Sequence, residues 1–178
     1  MALENAPSVH EEDTETKGLF SMNLYKKRFF ELSTDELYRI LQARCAIFVV
    51  EQECAYQDLD GIDRQALHVW LEDEGQILAY LRIFAASELD DAVQIGRVLT
   101  TVRSKGLGTK ILQAGIAAIP GFFTNVQTIR LEAQCYATGF YTREGFALQG
   151  EPFDEDGIPH VLMERPLILP EDAARKQP

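Results

Sequence analysis

The stretch that most restricts the fold lies in the middle of the chain. The apolar run VQIGRVLTT (93–101) leads through RSKGLG into TKILQAGIAAI (109–119). A strand, a glycine-rich turn and an amphipathic helix in that order form an anion site. Gly106 and Gly108 let backbone N–H groups approach an oxyanion with no Cβ in the way. The helix that follows offers free N–H groups and the positive end of its dipole. Arg103, Lys105 and Lys110 add positive charge to a chain whose net charge is −11. Two familiar phosphate loops fit less well. The G-x-x-x-x-G-K-[ST] pattern is absent, and the dinucleotide pattern needs glycine where Ile111 stands. By itself the segment also fits a tight strand–helix turn whose basic residues are merely solvated.

The flanking sequence reads as alternating strands and helices. Ser33-Thr34-Asp35-Glu36 is a capping box. Leu37, Ile40, Leu41, Cys45 and Phe48 follow at helical spacing, which predicts a helix over 34–47. A carboxylate-rich loop, EQECAYQDLDGID (51–63), comes next. Strands are expected at 66–72 and 76–85, joined by the turn Asp73-Glu74-Gly75. The helix at 109–119 is expected to stop at Pro120-Gly121. TIRLEAQ (128–134) reads as a strand and 137–144 as a short helix with Gly145 as its C-cap. Two last strands, 146–153 and 158–166, meet at the turn 154–157. The hairpins imply antiparallel pairs, so the class is α+β, one sheet with helices on its faces. Residues 1–20 read as a disordered acidic tail, 21–168 as one domain and 169–178 as a second short tail.

Charge and composition exclude several classes. Twenty-eight Asp and Glu against 17 Lys and Arg would be repelled by nucleic acid and by anionic membranes. No run of about 18 apolar residues is present to span a bilayer. The N-terminus lacks the basic start and apolar stretch of a secretory signal, and its acidity argues against a transit peptide, so a cytoplasmic location is expected. The three cysteines are odd in number and lack C-x-x-C spacing, and the three histidines lie far apart. Neither a disulfide framework nor a metal site is expected. Asp58, Asp60 and Asp63 do not fit a calcium loop, since Gly61 falls too early, and read mainly as turn formers.

At RSKGLG (Arg103 to Gly108) the chain resembles the GNAT superfamily of N-acetyltransferases, whose acetyl-CoA motif has this form. Gly139-Phe140-Tyr141-Thr142-Arg143-Glu144-Gly145-Phe146 resembles the family's aromatic-rich helix ending in Gly-Phe. Further strings are similar to the ElaA-type branch: Arg44 to Asp63, Ile95 to Val98, Ala133-Gln134 and Glu155 to His160. Together the resemblance covers about 22–167. One departure is visible: only Thr101-Val102 separates Thr100 from Arg103, a shorter turn than the family commonly carries.

The resemblance implies a single mixed, mostly antiparallel sheet of about six to seven strands, splayed in the middle and flanked by about four helices. It implies acetyl transfer to a small-molecule or peptide amine by direct attack in a ternary complex. The cysteines are then not nucleophiles. Backbone groups of Val98, Leu99 and Thr100 would pair with the pantetheine arm like an added strand, and an N–H there would face the thioester oxyanion. Arg103, Ser104, Lys105, Gly106, Leu107, Gly108 and Thr109 would cradle the pyrophosphate. Gln134 would reach the cofactor from the other side of the cleft.

Tyr141 is the candidate general acid, because a phenol of pKa about 10 lies close to a leaving thiolate of about 8.5. The alternative is that Tyr141 only packs beneath the cofactor, as Phe140 does. Glu51 and Glu132 are alternative bases acting through water. Arg44, Gln52, Arg97 and His160 are candidates to line the acceptor pocket. Arg97 either binds an acceptor carboxylate or pairs with a neighbouring acid. For His68 and His160, a satisfied core or strand histidine is the favoured reading over a catalytic base. No metal is expected, and either a monomer or a homodimer is compatible. The rival reading is a non-catalytic acyl-CoA-binding or regulatory module on the same fold.

Overall fold

The capping box closes as its residues predict. Glu36 N–H donates to Ser33 Oγ at 3.2 Å and Ser33 N–H donates to Glu36 Oε2 at 2.8 Å. These bonds start α1 (Thr34–Arg44) in a computed structural model that describes residues 22–86, 91–103 and 105–168. The two tails expected at 1–20 and 169–178 lie outside the described residues. Beyond Arg44 the helix widens over Cys45–Glu51, where Gln52 N–H reaches back five residues to Ile47 O at 3.2 Å. The helix expected to end at 47 therefore continues to Glu51 in a looser form.

Among the described residues, seven strands form one sheet in the order β1-β2-β3-β4-β5-β7-β6. They are β1 (Asn23–Arg28), β2 (Leu67–Asp73), β3 (Gln76–Ala85), β4 (Ala92–Thr100), β5 (Thr128–Gln134), β6 (Ala147–Glu155) and β7 (Ile158–Pro166). The strand β1 was not anticipated. It pairs with β2 along its whole length, and Tyr25 stacks on Trp70 with centroids 4.9 Å apart. Only the β4–β5 pair is parallel; the others are antiparallel.

The sheet has a core on each face. Ile40 of α1 packs with Trp70, Tyr80 and Leu99 on one. On the other, Ile111, Leu112 and Ile119 of α2 (Leu107–Phe122) pack on Leu81, Ile83 and Ile95. A Cβ at Gly115 would stand 2.9 Å from Leu81 Cδ2, so glycine is what lets α2 lie this close to β3. Contrary to expectation, α2 is not stopped by Pro120. A proline in the last turn removes only one ladder bond, and Phe123 N–H still closes on Ile119 O at 2.9 Å.

The third helix, α3 (Thr138–Arg143), rests on β5. Among the described residues there are three α-helices, close to the number expected, on the expected sheet. Among the described residues, no helix is long and apolar enough to cross a membrane. Strand β6 is exposed throughout and breaks register between Gln149 and Phe153.

The cap is a direct stability test. Ser33→Ala should lower the unfolding free energy by about 1 kcal/mol, read as a lower urea midpoint at unchanged slope.

Candidate functional site

Strands β4 and β5 run side by side for only three residue pairs, Ala92–Thr128, Val93–Ile129 and Gln94–Arg130. Past Gln94 they part. The resulting cleft has a volume of about 700 Å³ and is bordered by Ile95–Thr100 on one side and by Leu131, Glu132 and Gln134 on the other. This is the splay that the resemblance implied. Every residue of β4 from Ile95 onward has lost its β5 partner, so a sheet edge faces the opening.

Arg103 lines the cleft, and the glycine turn follows it in the chain. Gly106 sits at φ +67°, a left-handed conformation suited to glycine, and caps α2. A Cβ at Gly106 would meet nothing within 4 Å, whereas one at Gly108 would meet the Phe140 ring at 3.4 Å. Phe140 thus packs beneath the first turn of α2. Thr109 Oγ1 donates to Glu144 Oε1 at 2.8 Å, tying α2 to the end of α3. The short turn before Arg103 is pinned to β3: Thr101 N–H donates to Leu78 O at 3.0 Å, and Thr101 Oγ1 to Ile77 O at 2.7 Å. Arg103 is exposed and pairs with Glu51. Lys105 is exposed and Leu107 is buried. Ser104 lies outside the described residues. An exposed backbone edge, a glycine turn at a helix N-terminus and a guanidinium together fit an extended arm with an anionic end.

Tyr141 borders the cleft from α3. Burial pushes its phenol up to about 12, and Tyr136 adds to the shift. It therefore holds its proton at neutral pH as a donor, although the gap to a thiolate of about 8.5 is wider than for a free phenol. Glu51 ends the widened turn after α1. Glu132 is exposed on β5 and accepts from Gln94 Nε2 at 3.2 Å. Gln52 and Gln134 meet across the cleft, the Gln134 Nε2 amide donating to Gln52 Oε1 at 3.2 Å. His160, paired with Gln134 across β5 and β7, donates from Nδ1 to Ile158 O at 2.8 Å.

The arginines behave differently from the expectation for an acceptor pocket. Arg44 does not line the cleft. It is fully buried, at 0% exposure, and donates to Asp58 Oδ2 at 2.9 Å and Asp63 Oδ1 at 2.6 Å. Burial opposes its charge, but Tyr80 and the two aspartates together more than offset this and raise its pKa. Arg82 donates to Asp60 Oδ1 at 2.8 Å and Asp63 Oδ1 at 2.9 Å. Arg97 borders the cleft, with Nε donating to Asp58 Oδ1 at 2.7 Å and Nη2 to Asp60 Oδ2 at 3.3 Å. The pairing alternative for Arg97 is the one the structure displays.

Asp58, Asp60 and Asp63 are therefore more than turn formers, although Asp60 also accepts from Ile62 N–H at 3.0 Å as a turn residue would. Sequence reading missed their partners. The available signal was three charged residues, Arg44, Arg82 and Arg97, each inside an apolar run. His68 is a satisfied core histidine: Nε2–H donates to Asp63 O at 2.9 Å and Nδ1 accepts from the Tyr80 hydroxyl at 2.8 Å.

Arg97 also has unusual backbone. Its φ is +54°, in the left-handed region, which costs a residue with a Cβ about 1–2 kcal/mol. The β3–β4 register explains why. Arg82 faces Gly96, but Tyr80 faces Leu99, so Arg97 and Val98 together oppose Leu81. This is a β-bulge of the kind whose first residue is usually glycine.

Comparison with known proteins follows the same outline. The acetyltransferase (GNAT) domain matches residues 31–167. Protein ElaA of Escherichia coli is 38% identical over 144 residues, covering 78% of this chain and 92% of that protein. A crystal structure described as an acyl-CoA N-acyltransferase from Pseudomonas aeruginosa superposes with a TM-score of 0.76 at 36% identity, over 82% of this chain and 99% of that one. The Escherichia coli ElaA crystal structure gives 0.74 at 34% identity, over 81% and 99%.

The buried charges give the fold a pH signature. Burial pushes the carboxyls of Asp60 and Asp63 up, but Arg82 for the first, and Arg44 with Arg82 for the second, hold them below the ordinary range. Burial lowers the pKa of His68. All three folded values lie below the unfolded ones, so their stability is present at high pH and lost on acidification. The thermal midpoint should begin to fall below pH about 6.5 and fall further below about 4. Asp63→Asn should cost about 3–5 kcal/mol at pH 7, because it leaves two buried guanidiniums short of an anion, and should flatten the lower stage.

Proposed function

Because the chain belongs to the GNAT acetyltransferase family, we propose that it transfers an acetyl group from acetyl-CoA to a primary amine of a small molecule or peptide, by direct attack in a ternary complex. The observation that carries this reading is the end of β4–β5 pairing at Gln94–Arg130, with Arg103, which opens the glycine turn, and Tyr141 both lining the gap. The cofactor would supply an acyl group activated as a thioester. The chain's own residues supply the rest.

Backbone groups of Val98, Leu99 and Thr100 offer an added-strand contact to the pantetheine arm. Arg103, Lys105, Gly106, Gly108 and the first turn of α2 at Leu107 and Thr109 receive the pyrophosphate. Thr109 would act through its backbone, since its hydroxyl is committed to Glu144. Gln134 borders the arm from β5, and Phe140 supports Gly108. Tyr141 protonates the leaving sulfur. The incoming ammonium, with a pKa of about 10.4, must lose a proton first. We place Glu132 as the base acting through water, because it lines the cleft from β5 and its one described partner is the neutral Gln94 amide. Gln52 and His160 remain as acceptor contacts; Arg44 and Arg97 serve the scaffold. Glu132, Glu155 and Asp156 around the cleft suit a cationic acceptor.

Calorimetric titration with acetyl-CoA tests the cofactor, and a thiol-release screen over amines, polyamines, amino acids and peptides tests the acceptor. No binding at about 1 mM would end this reading. Binding with no turnover on any acceptor would favour the acyl-CoA-binding or regulatory module. Arg103→Glu should weaken cofactor binding about tenfold or more, since it puts an anion beside an anion. Tyr141→Phe should reduce turnover about 100-fold or more and leave affinity nearly intact. Undiminished turnover would remove Tyr141 as the acid.

A further inference from the structure

We infer that Arg97 is a positioning residue whose guanidinium, held by Asp58 and Asp60, keeps the β4 backbone in a bulge that sets which of its amides face the cleft. The inference rests on the acetyl-CoA reading above and adds to it a device for presenting backbone to the thioester.

In a regular strand, successive amides point to opposite edges. The single extra residue at Arg97–Val98 reverses that alternation for everything that follows. Amides of β4 beyond the bulge therefore face the edge opposite to the one an unbulged strand would give them. This is the segment, Val98 to Thr100, that borders the gap where β5 has departed. Without the bulge, the donors at the cleft would be a different set.

The bulge needs a left-handed residue in its first position. Glycine takes that conformation without penalty; Arg97 does not. What holds it is visible. Nε donates to Asp58 Oδ1 at 2.7 Å, Nη2 to the Asp58 carbonyl at 3.3 Å, and the guanidinium lies 5.3 Å from the Tyr56 ring centroid. Asp58 is itself fixed, with Oδ2 accepting from buried Arg44 and Oδ1 from the Tyr56 hydroxyl at 2.8 Å. The anchor is rigid, and it belongs to the loop whose Tyr56, Gln57 and Asp60 wall the same cleft. A side chain that only bound an acceptor would not need a left-handed backbone. A side chain that only paired with acids would not need to sit in a bulge.

Deleting the whole Arg97 side chain should therefore do less harm than deleting most of it. Arg97→Gly removes the anchor and also removes the strain. Arg97→Ala removes the anchor and keeps the Cβ that resists the bulge. The readout is affinity for acetyl-CoA relative to CoA, measured by calorimetry on the full chain; it isolates contacts to the thioester and requires no acceptor. The wild type should favour acetyl-CoA about fivefold, one net hydrogen bond. Arg97→Ala should bind both equally, and Arg97→Gly should restore the preference.

Thermal unfolding checks that each variant is folded. Should Arg97→Ala fail to fold, Arg97→Lys takes its place, since it keeps charge and Cβ but loses the forked geometry. It should also lose the preference while Arg97→Gly keeps it. Equal behaviour of glycine and the Cβ-bearing variant, or no preference in the wild type, overturns the inference and leaves the cofactor reading standing. Failure of the wild type to bind either CoA or acetyl-CoA overturns both.

Discussion

A guanidinium with no access to water is tolerated only where carboxylates meet it, and Arg44 is such a group. Left unpaired, it would carry a desolvation cost of several kcal/mol. Asp58 and Asp63 satisfy it, and both belong to the irregular stretch between the widened end of α1 and β2. That stretch has little regular structure of its own. It is drawn onto the sheet by buried charge, and once there it delivers Asp60 to Arg82 and Asp58 to Arg97. One wall of the cleft is therefore positioned from beneath. Tyr56 and Gln57 border the opening because the aspartates beside them face inward.

The other end of the cleft is organised by contact between helices. Gly108 lies against Phe140, Thr109 and Gln113 both donate to Glu144, and Arg165 donates to the Glu144 carbonyl at 2.7 Å. Glu144 thus closes α3 while fastening it to α2 and β7. The glycines of RSKGLG serve two needs at once: Gly106 accommodates a positive φ, and Gly108 gives the room that Phe140 fills.

The parts of this arrangement that could be read from the chain are those with local causes. TIRLEAQ and IPHVLMERP have the strand boundaries their alternation indicates, and Ser33 caps α1 because its partner is three residues away. The strand β1 escaped notice because NLYKKR carries adjacent lysines and becomes a strand by pairing with β2, far away in sequence. Pro120 misled for the opposite reason: a strong local signal was outweighed by the packing of Ile119 and its neighbours on the sheet. At the site, the glycine turn, Tyr141 and the cleft edge of β4 were legible as motifs. The aspartates were not, since their partners lie 14 to 39 residues away and only folding brings them together.

The three residue pairs that join β4 to β5 have a mechanical meaning. The sheet consists of β1 to β4, on which α2 rests, and β5 to β7, on which α3 rests. Backbone bonding between these halves is confined to one end. Backbone bonding across the seam is therefore sparser than within either half, although the apolar core runs across it. A ligand that lies along the exposed β4 edge with peptide-like groups would act as a missing strand. It would not merely occupy a hole; it would knit the two half-sheets together, so that occupancy and the rigidity of the whole sheet rise together.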